Sequence, residues 1–155
     1  MSKQVAAVGE GAHSNKLDTG YAGSILYVNA TIWKEMVDHC ILERPYEACG
    51  LLSGRNGRVQ TIWRMVNVDK SPVSFSMDLE QLRRVLLRMH QRGEQLLGIY
   101  HSHPTAPPIP SAEDIAYSYY PEAVYIIVSL AQKRPTFGCY RVRGKDAIPC
   151  RVSFF

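Results

Sequence analysis

The sequence predicts an α/β domain of the α+β layered kind, a mixed β-sheet flanked by helices. Two segments carry apolar residues at the 3/4 spacing of a core-facing helix. Several runs of four to eight apolar or alternating residues, separated by turn-forming residues, read as strands. Helices and strands do not alternate strictly, which argues against a wholly parallel sheet. A chain of 155 residues is one domain's worth and large enough to bury a single core. Hydrophobic residues make up 46% and charged residues 21%, the balance of an ordinary globule and not of a disordered chain.

Residues 1–24 are rich in Gly, Ala and Ser and lack periodicity, so they are read as a flexible N-terminal leader to a domain spanning 25–155. Ile25 to Val28 is a short strand. A helix follows over Thr31–Leu42, with Ile32, Met36, Val37 and Cys40 on one face and Asn29 or Thr31 as N-cap; Pro45 stops it. Ala48–Gly54 reads as a buried strand. Asn56-Gly57 is a strong hairpin turn, and Val59–Val66 is the returning strand. A second helix, Asp78–Arg92, points Leu79, Leu82, Val85, Leu86 and Met89 at the core. Asp78 and Gln81 form its capping box, and Gly93 its stop. Leu96–Tyr100 is a strand running straight into His101. After a proline-rich loop comes a short helix over Ser111–Tyr119, then an apolar strand Ala123–Leu130, and two last strands over Phe137–Val142 and Ile148–Phe154.

Charge and composition exclude several classes. The net charge of +4 is mild; Arg83, Arg84, Arg88 and Arg92 are read as the solvated face of the second helix, and no nucleic-acid partner is expected. There is no apolar run of membrane-spanning length and no secretory signal in the first residues, so a cytoplasmic protein is expected. Cys40, Cys49, Cys139 and Cys150 show no C-x-x-C pairing and are read as reduced, mostly buried thiols. Cys49 lies in an apolar strand with no histidine beside it in sequence, which makes it a poor nucleophile. His13, His39 and His90 have no ligand-like spacing, and Tyr117, Tyr119 and Tyr120 are read as packing residues.

The chemistry concentrates in one window, His101-Ser102-His103-Pro104, then six residues, then Ser111-Ala112-Glu113-Asp114. In a strand, residues i and i+2 point to the same side, so both imidazoles can address one point. A turn-rich loop can fold Asp114 back to the same point. Two His, one carboxylate and an open position is the donor set of a catalytic zinc site. Each part has an innocent reading: a lone H-x-H is weak, and Ser111-x-x-Asp114 is also a helix N-cap sequence. The two readings are compatible, since a residue in the first turn of a helix can both cap it and face a metal.

The stretch HSHPTAPPIPSAED resembles the JAMM (MPN-plus) signature, H-x-H-P-x6-S-x-x-D, at every fixed position. Pro45–Gly54 is similar to the family's upstream element, P-x-E-x-C-G-L-L-x-G, which singles out Glu47 where the residues alone do not choose among eight glutamates. The resemblance implies a curved, cytidine-deaminase-like mixed sheet. It also implies one Zn2+ per chain, held by His101, His103 and Asp114, with Glu47 as general base and Ser111 as donor to the developing oxyanion. The implied activity is a zinc metalloprotease, or isopeptidase, acting after the C-terminal glycine of a ubiquitin-like or sulfur-carrier (ThiS/MoaD-like) protein. The short Gln132–Pro135 connection matches the compact prokaryotic type; a homodimer is left open. A noncatalytic scaffold is the first alternative, although all four chemical positions are filled. A RadC-like DNA-associated protein is the second, although Ser102 stands where that group carries Asn. A nucleoside deaminase would need H-x-E and P-C-x-x-C elements, which are absent.

Overall fold

The computed structural model describes residues 4–5 and 25–155. In chain order the elements are β1 (Leu26–Val28), α1 (Ala30–Leu42), β2 (Cys49–Arg55), β3 (Arg58–Met65), α2 (Leu79–Gln91), β4 (Gln95–His103), α3 (Ala112–Ala116), β5 (Val124–Ser129), β6 (Thr136–Arg143), β7 (Asp146–Pro149) and β8 (Val152–Phe154). The strands form one mixed sheet in the order β7-β6-β5-β4-β2-β3-β1-β8, as the sequence predicts for an α+β layered domain.

The outermost strands, β7 and β8, are joined by only Cys150 and Arg151. Three residue steps reach at most roughly 11 Å. Eight flat strands spaced at about 4.8 Å would hold their outer edges more than 30 Å apart. The sheet must therefore curl until its edges nearly meet. This is also why the predicted strand Ile148–Phe154 is split: its first part pairs antiparallel with β6, and its second crosses to run parallel with β1.

Local rules explain most element limits. The Asn29 side chain accepts the Ile32 N–H at 2.8 Å and caps α1; Asp78 does the same for α2 through the Gln81 N–H, also at 2.8 Å. Asn56 and Gly57 have φ of 53° and 72°, the left-handed pair a two-residue hairpin needs. Helix α3 ends at Ala116, short of the predicted Tyr119. The Ser118 hydroxyl donates to the Ile115 carbonyl at 2.7 Å, a local bond that competes with helix continuation. Strand β4 runs on through both histidines because Gly98–His103 pair in parallel register with Val124–Ser129.

Alternation along the strands divides the core in two. On one face Leu52, Tyr100, Val124, Ile126 and Val128 pack beneath Ile32, Met36 and Cys40 of α1. On the other, Cys49, Leu51, Ile99 and Tyr125 pack beneath Leu82 and Met89 of α2. Of the segment 1–24, Gln4 and Val5 are described and are both buried, at variance with a loose leader at those two positions; the rest of that expectation lies outside the described residues. Among the described residues no helix is long and apolar enough to cross a membrane.

His39, on the buried face of α1, is hydrogen-bonded through Nδ1 to the Tyr100 hydroxyl at 2.7 Å. Burial, helped by the charge of Arg64, lowers its pKa from 6.5 to about 4. The unfolded chain therefore takes up a proton between pH 6.5 and 4 that the folded chain refuses. This contribution is fully present above the unfolded pKa and is lost as pH falls toward the folded one. Urea unfolding at pH 7 and pH 4.5 should show a loss of about 2 kcal/mol from this residue. The loss should be absent in His39→Asn; identical pH dependence in the two proteins would contradict the assignment.

Candidate metal centre

The rim of the sheet collects the predicted residues. On β4, Ile99, His101 and His103 share the α2 face, while Tyr100 and Ser102 turn toward α1. Ser102 works there as a strut: its Oγ accepts the Ala48 N–H at 2.8 Å and its N–H donates to the Ala48 carbonyl at 3.0 Å. Cys49 pairs with His101 across the antiparallel β2–β4 ladder. Continuing that register by two residues sets Glu47 opposite His103 and on the same face.

Helix α3 brings in the carboxylate. The Ser111 hydroxyl accepts the Asp114 N–H at 3.0 Å, and Asp114 Oδ2 accepts the Ser111 N–H at 2.9 Å, a full capping box. This fixes Asp114 with Oδ2 3.2 Å from Nε2 of both His101 and His103; the two Nε2 atoms are also 3.2 Å apart. Asp114 Oδ1 accepts a hydrogen bond from the Gln4 amide at 2.9 Å. His103 Nδ1–H donates to the Pro107 carbonyl at 2.8 Å, so that whenever the ring is neutral Nε2 turns a lone pair toward the cluster. The proline loop that offers this carbonyl is pinned by the Tyr140 hydroxyl on Pro108 O and the Ser129 hydroxyl on Ala106 O. Gly138 makes room for it, because a Cβ there would lie 2.3 Å from Pro108 O. The Phe75 ring covers His101, with centroids 4.7 Å apart.

Electrostatics of the cluster are those of a paired donor set. Burial acts to raise the Asp114 carboxyl, but the charge of His101 and hydrogen bonds from His101, His103 and the Ser111 N–H outweigh it and hold it well below the usual carboxylate range. For His103, burial acts to lower the pKa, and the bonds to Asp114 and Pro107 O more than reverse it. Glu47 differs. Only 3% exposed, it is pushed up to about 8 by burial; the charge of His103 opposes this, while Asp114, Glu113 and Asp69 reinforce it. Its backbone is tied on both sides, N–H to Ser71 O and carbonyl to Asn67 Nδ2, yet its buried Oε1 has no hydrogen-bond partner in the structure. Burial also raises the thiol pKa of Cys49, which rules it out as a ready nucleophile.

The donor set fits a small divalent ion. A tetrahedral ion bound at about 2.0 Å by each ligand separates those ligands by about 3.3 Å. The three donor atoms lie 3.2 Å apart pairwise, as one face of such a tetrahedron does. Two nitrogen lone pairs facing each other at that distance repel unless a proton or a cation lies between them. Among the described residues this is the group of His, Cys, Asp and Glu side chains that could hold a metal ion. Sequence reasoning had no signal for Gln4, Phe75 or the Pro107 carbonyl, whose roles depend on contacts between distant or featureless segments.

Known proteins resemble this chain in both sequence and fold. The family described as prokaryotic homologues of the JAB domain matches residues 29–142. A "probable TtuB-protein conjugate cleaving protease" of Thermus thermophilus is 38% identical over 62% of this chain and 65% of its own length, just under two thirds. The "CysO-cysteine peptidase" of Mycobacterium tuberculosis is 33% identical over 68% of this chain and 73% of its own. A solution structure from Desulfitobacterium hafniense superposes with a TM-score of 0.76 at 31% identity, covering 83% of this chain and 92% of that one.

Proposed function

The chain belongs to the prokaryotic JAB-domain family, and from that premise we propose that it is a zinc-dependent peptidase or isopeptidase that hydrolyses the amide bond after the C-terminal glycine of a ubiquitin-like sulfur-carrier protein. The observation that carries this reading is the three-donor face of His101, His103 and Asp114 with the buried, unpartnered Oε1 of Glu47 on the same side of the sheet. Two neutral imidazoles and one carboxylate favour zinc over calcium or magnesium, which prefer all-oxygen sites. A bound zinc ion supplies Lewis acidity toward the scissile carbonyl and brings the pKa of water near 7.

In this proposal Glu47 takes a proton from the attacking water as its oxygen bonds to the carbonyl carbon. It then gives that proton to the amine nitrogen as the C–N bond breaks. A carboxyl group whose pKa is raised by desolvation suits both halves of that transfer. The Ser111 hydroxyl uses its oxygen to cap α3 and keeps its own proton free to donate to the developing oxyanion. The substrate class is carried over from what the relatives are named for, cleavage of a TtuB–protein conjugate and of CysO-cysteine. The test is incubation of the zinc-loaded protein with carrier proteins bearing an amino acid or a lysine side chain on the terminal glycine, read by mass spectrometry. Release of intact carrier ending in glycine is expected; uncut conjugates in the presence of bound zinc would overturn the substrate assignment.

A further inference from the structure

Gln4 lies far from the site in sequence and outside the segment that matches the family, yet its side-chain amide donates to Asp114 Oδ1 at 2.9 Å. It is 3% exposed, and neighbouring Val5 is 1% exposed in the α2-side core beside Phe75 and Met77. The backbone of Gln4 is clamped at both ends: its N–H donates to Phe75 O at 3.1 Å, and its carbonyl accepts the Met77 N–H at 2.8 Å. Its φ of 59° is left-handed, a conformation glutamine avoids unless its surroundings impose it. A buried polar side chain on a strained backbone, aimed at one oxygen of one carboxylate, is more than packing requires. The same short segment, Phe75–Met77, both clamps Gln4 and lays the Phe75 ring over His101.

We propose that Gln4 is a positioning residue of the metal centre: by holding Oδ1 of Asp114 it keeps Oδ2 directed at the two imidazoles, so that a segment outside the family match completes the site. The inference rests on the metal-binding reading above. Loss of a hydrogen bond that orients a ligand typically weakens metal binding by about 10–100-fold. The capping box already restrains Asp114 through Ser111, so the lower end of that range applies.

Two variants of the 155-residue chain separate positioning from packing. Gln4→Met keeps the side-chain length but has no N–H to give. Gln4→Gly also removes the donor but relieves the left-handed backbone. Zinc dissociation constants, measured by competition with a chelator, should rise about tenfold in both. The melting temperature of metal-free Gln4→Gly should stay at or above that of the parent. Ile32→Val, on the opposite face of the sheet, serves as the packing control and should lower the melting temperature without moving zinc affinity. Parental affinity in both Gln4 variants would overturn the proposal, as would a zinc affinity that falls equally in Ile32→Val. If the parent protein binds no zinc, the metal reading itself fails and this inference fails with it.

Discussion

Glu47→Gln is expected to lower hydrolysis by about 10²–10⁴-fold while zinc stoichiometry stays at one per chain. Glutamine matches glutamate in volume, and the backbone bonds of residue 47, to Ser71 O and from Asn67 Nδ2, do not involve its side chain. The local fold therefore has no reason to change. What disappears is a group able to hold a proton and release it. The side chain is outside the triangle of donor atoms formed by His101, His103 and Asp114, so metal content should not follow turnover. Single-turnover rates with a carrier conjugate, alongside elemental analysis, make the comparison. Loss of zinc together with activity would make Glu47 a ligand; retention of both would remove it from the chemistry. Glu47→Ala should lose turnover in the same way. It should also perturb packing, since it leaves a void in a pocket where the native side chain is 3% exposed.

Those outcomes bear on how far residues alone could reveal the site. The histidine pair was legible because its spacing of two forces both rings to one face of a strand, and β4 does run through residues 101 and 103. Asp114 was legible as a helix-cap residue, and the structure gives it that bond together with an oxygen facing both imidazoles. Glu47 was not legible from spacing. Its position depends on the β2–β4 register, in which Cys49 meets His101, and no local pattern encodes a pairing between segments some fifty residues apart. The resemblance to the JAMM signature supplied it instead. The same limit hid Gln4 and Phe75 and merged β7 with β8. Apolar alternation marks that a segment is a strand but not which edge it joins, and the curl of the sheet is a property of all eight strands at once. The caps Asn29 and Asp78 and the turn Asn56-Gly57 were legible because each acts within three residues of itself. The expected capping box at Asp78 is only half formed, since the Gln81 side chain accepts the Val66 N–H at 3.1 Å, a tertiary partner no local pattern announces.

Removing the metal should abolish hydrolysis without unfolding the protein. Lewis-acid stabilisation alone is worth several kcal/mol, so turnover should fall roughly 10³-fold or more in the presence of a strong chelator. Structural zinc domains unfold under the same treatment because they lack a core of their own. Here the apolar clusters on both faces of the sheet are built without the site, from residues such as Met36, Leu52 and Tyr100 on one side and Leu51, Leu82 and Ile99 on the other. The three proposed ligands are also held by protein atoms: His103 by Pro107 O, Asp114 by Ser111 and Gln4, and His101 by the overlying Phe75 ring. Far-UV circular dichroism should therefore be unchanged on chelation, and stoichiometric zinc should restore the rate. His103→Ala should lose activity to the same extent but resist rescue, since the Nε2 donor itself is gone. A cooperative unfolding transition on chelation would identify the ion as a structural staple. Full activity in the metal-free protein would dissolve the link between the donor triangle and the chemistry.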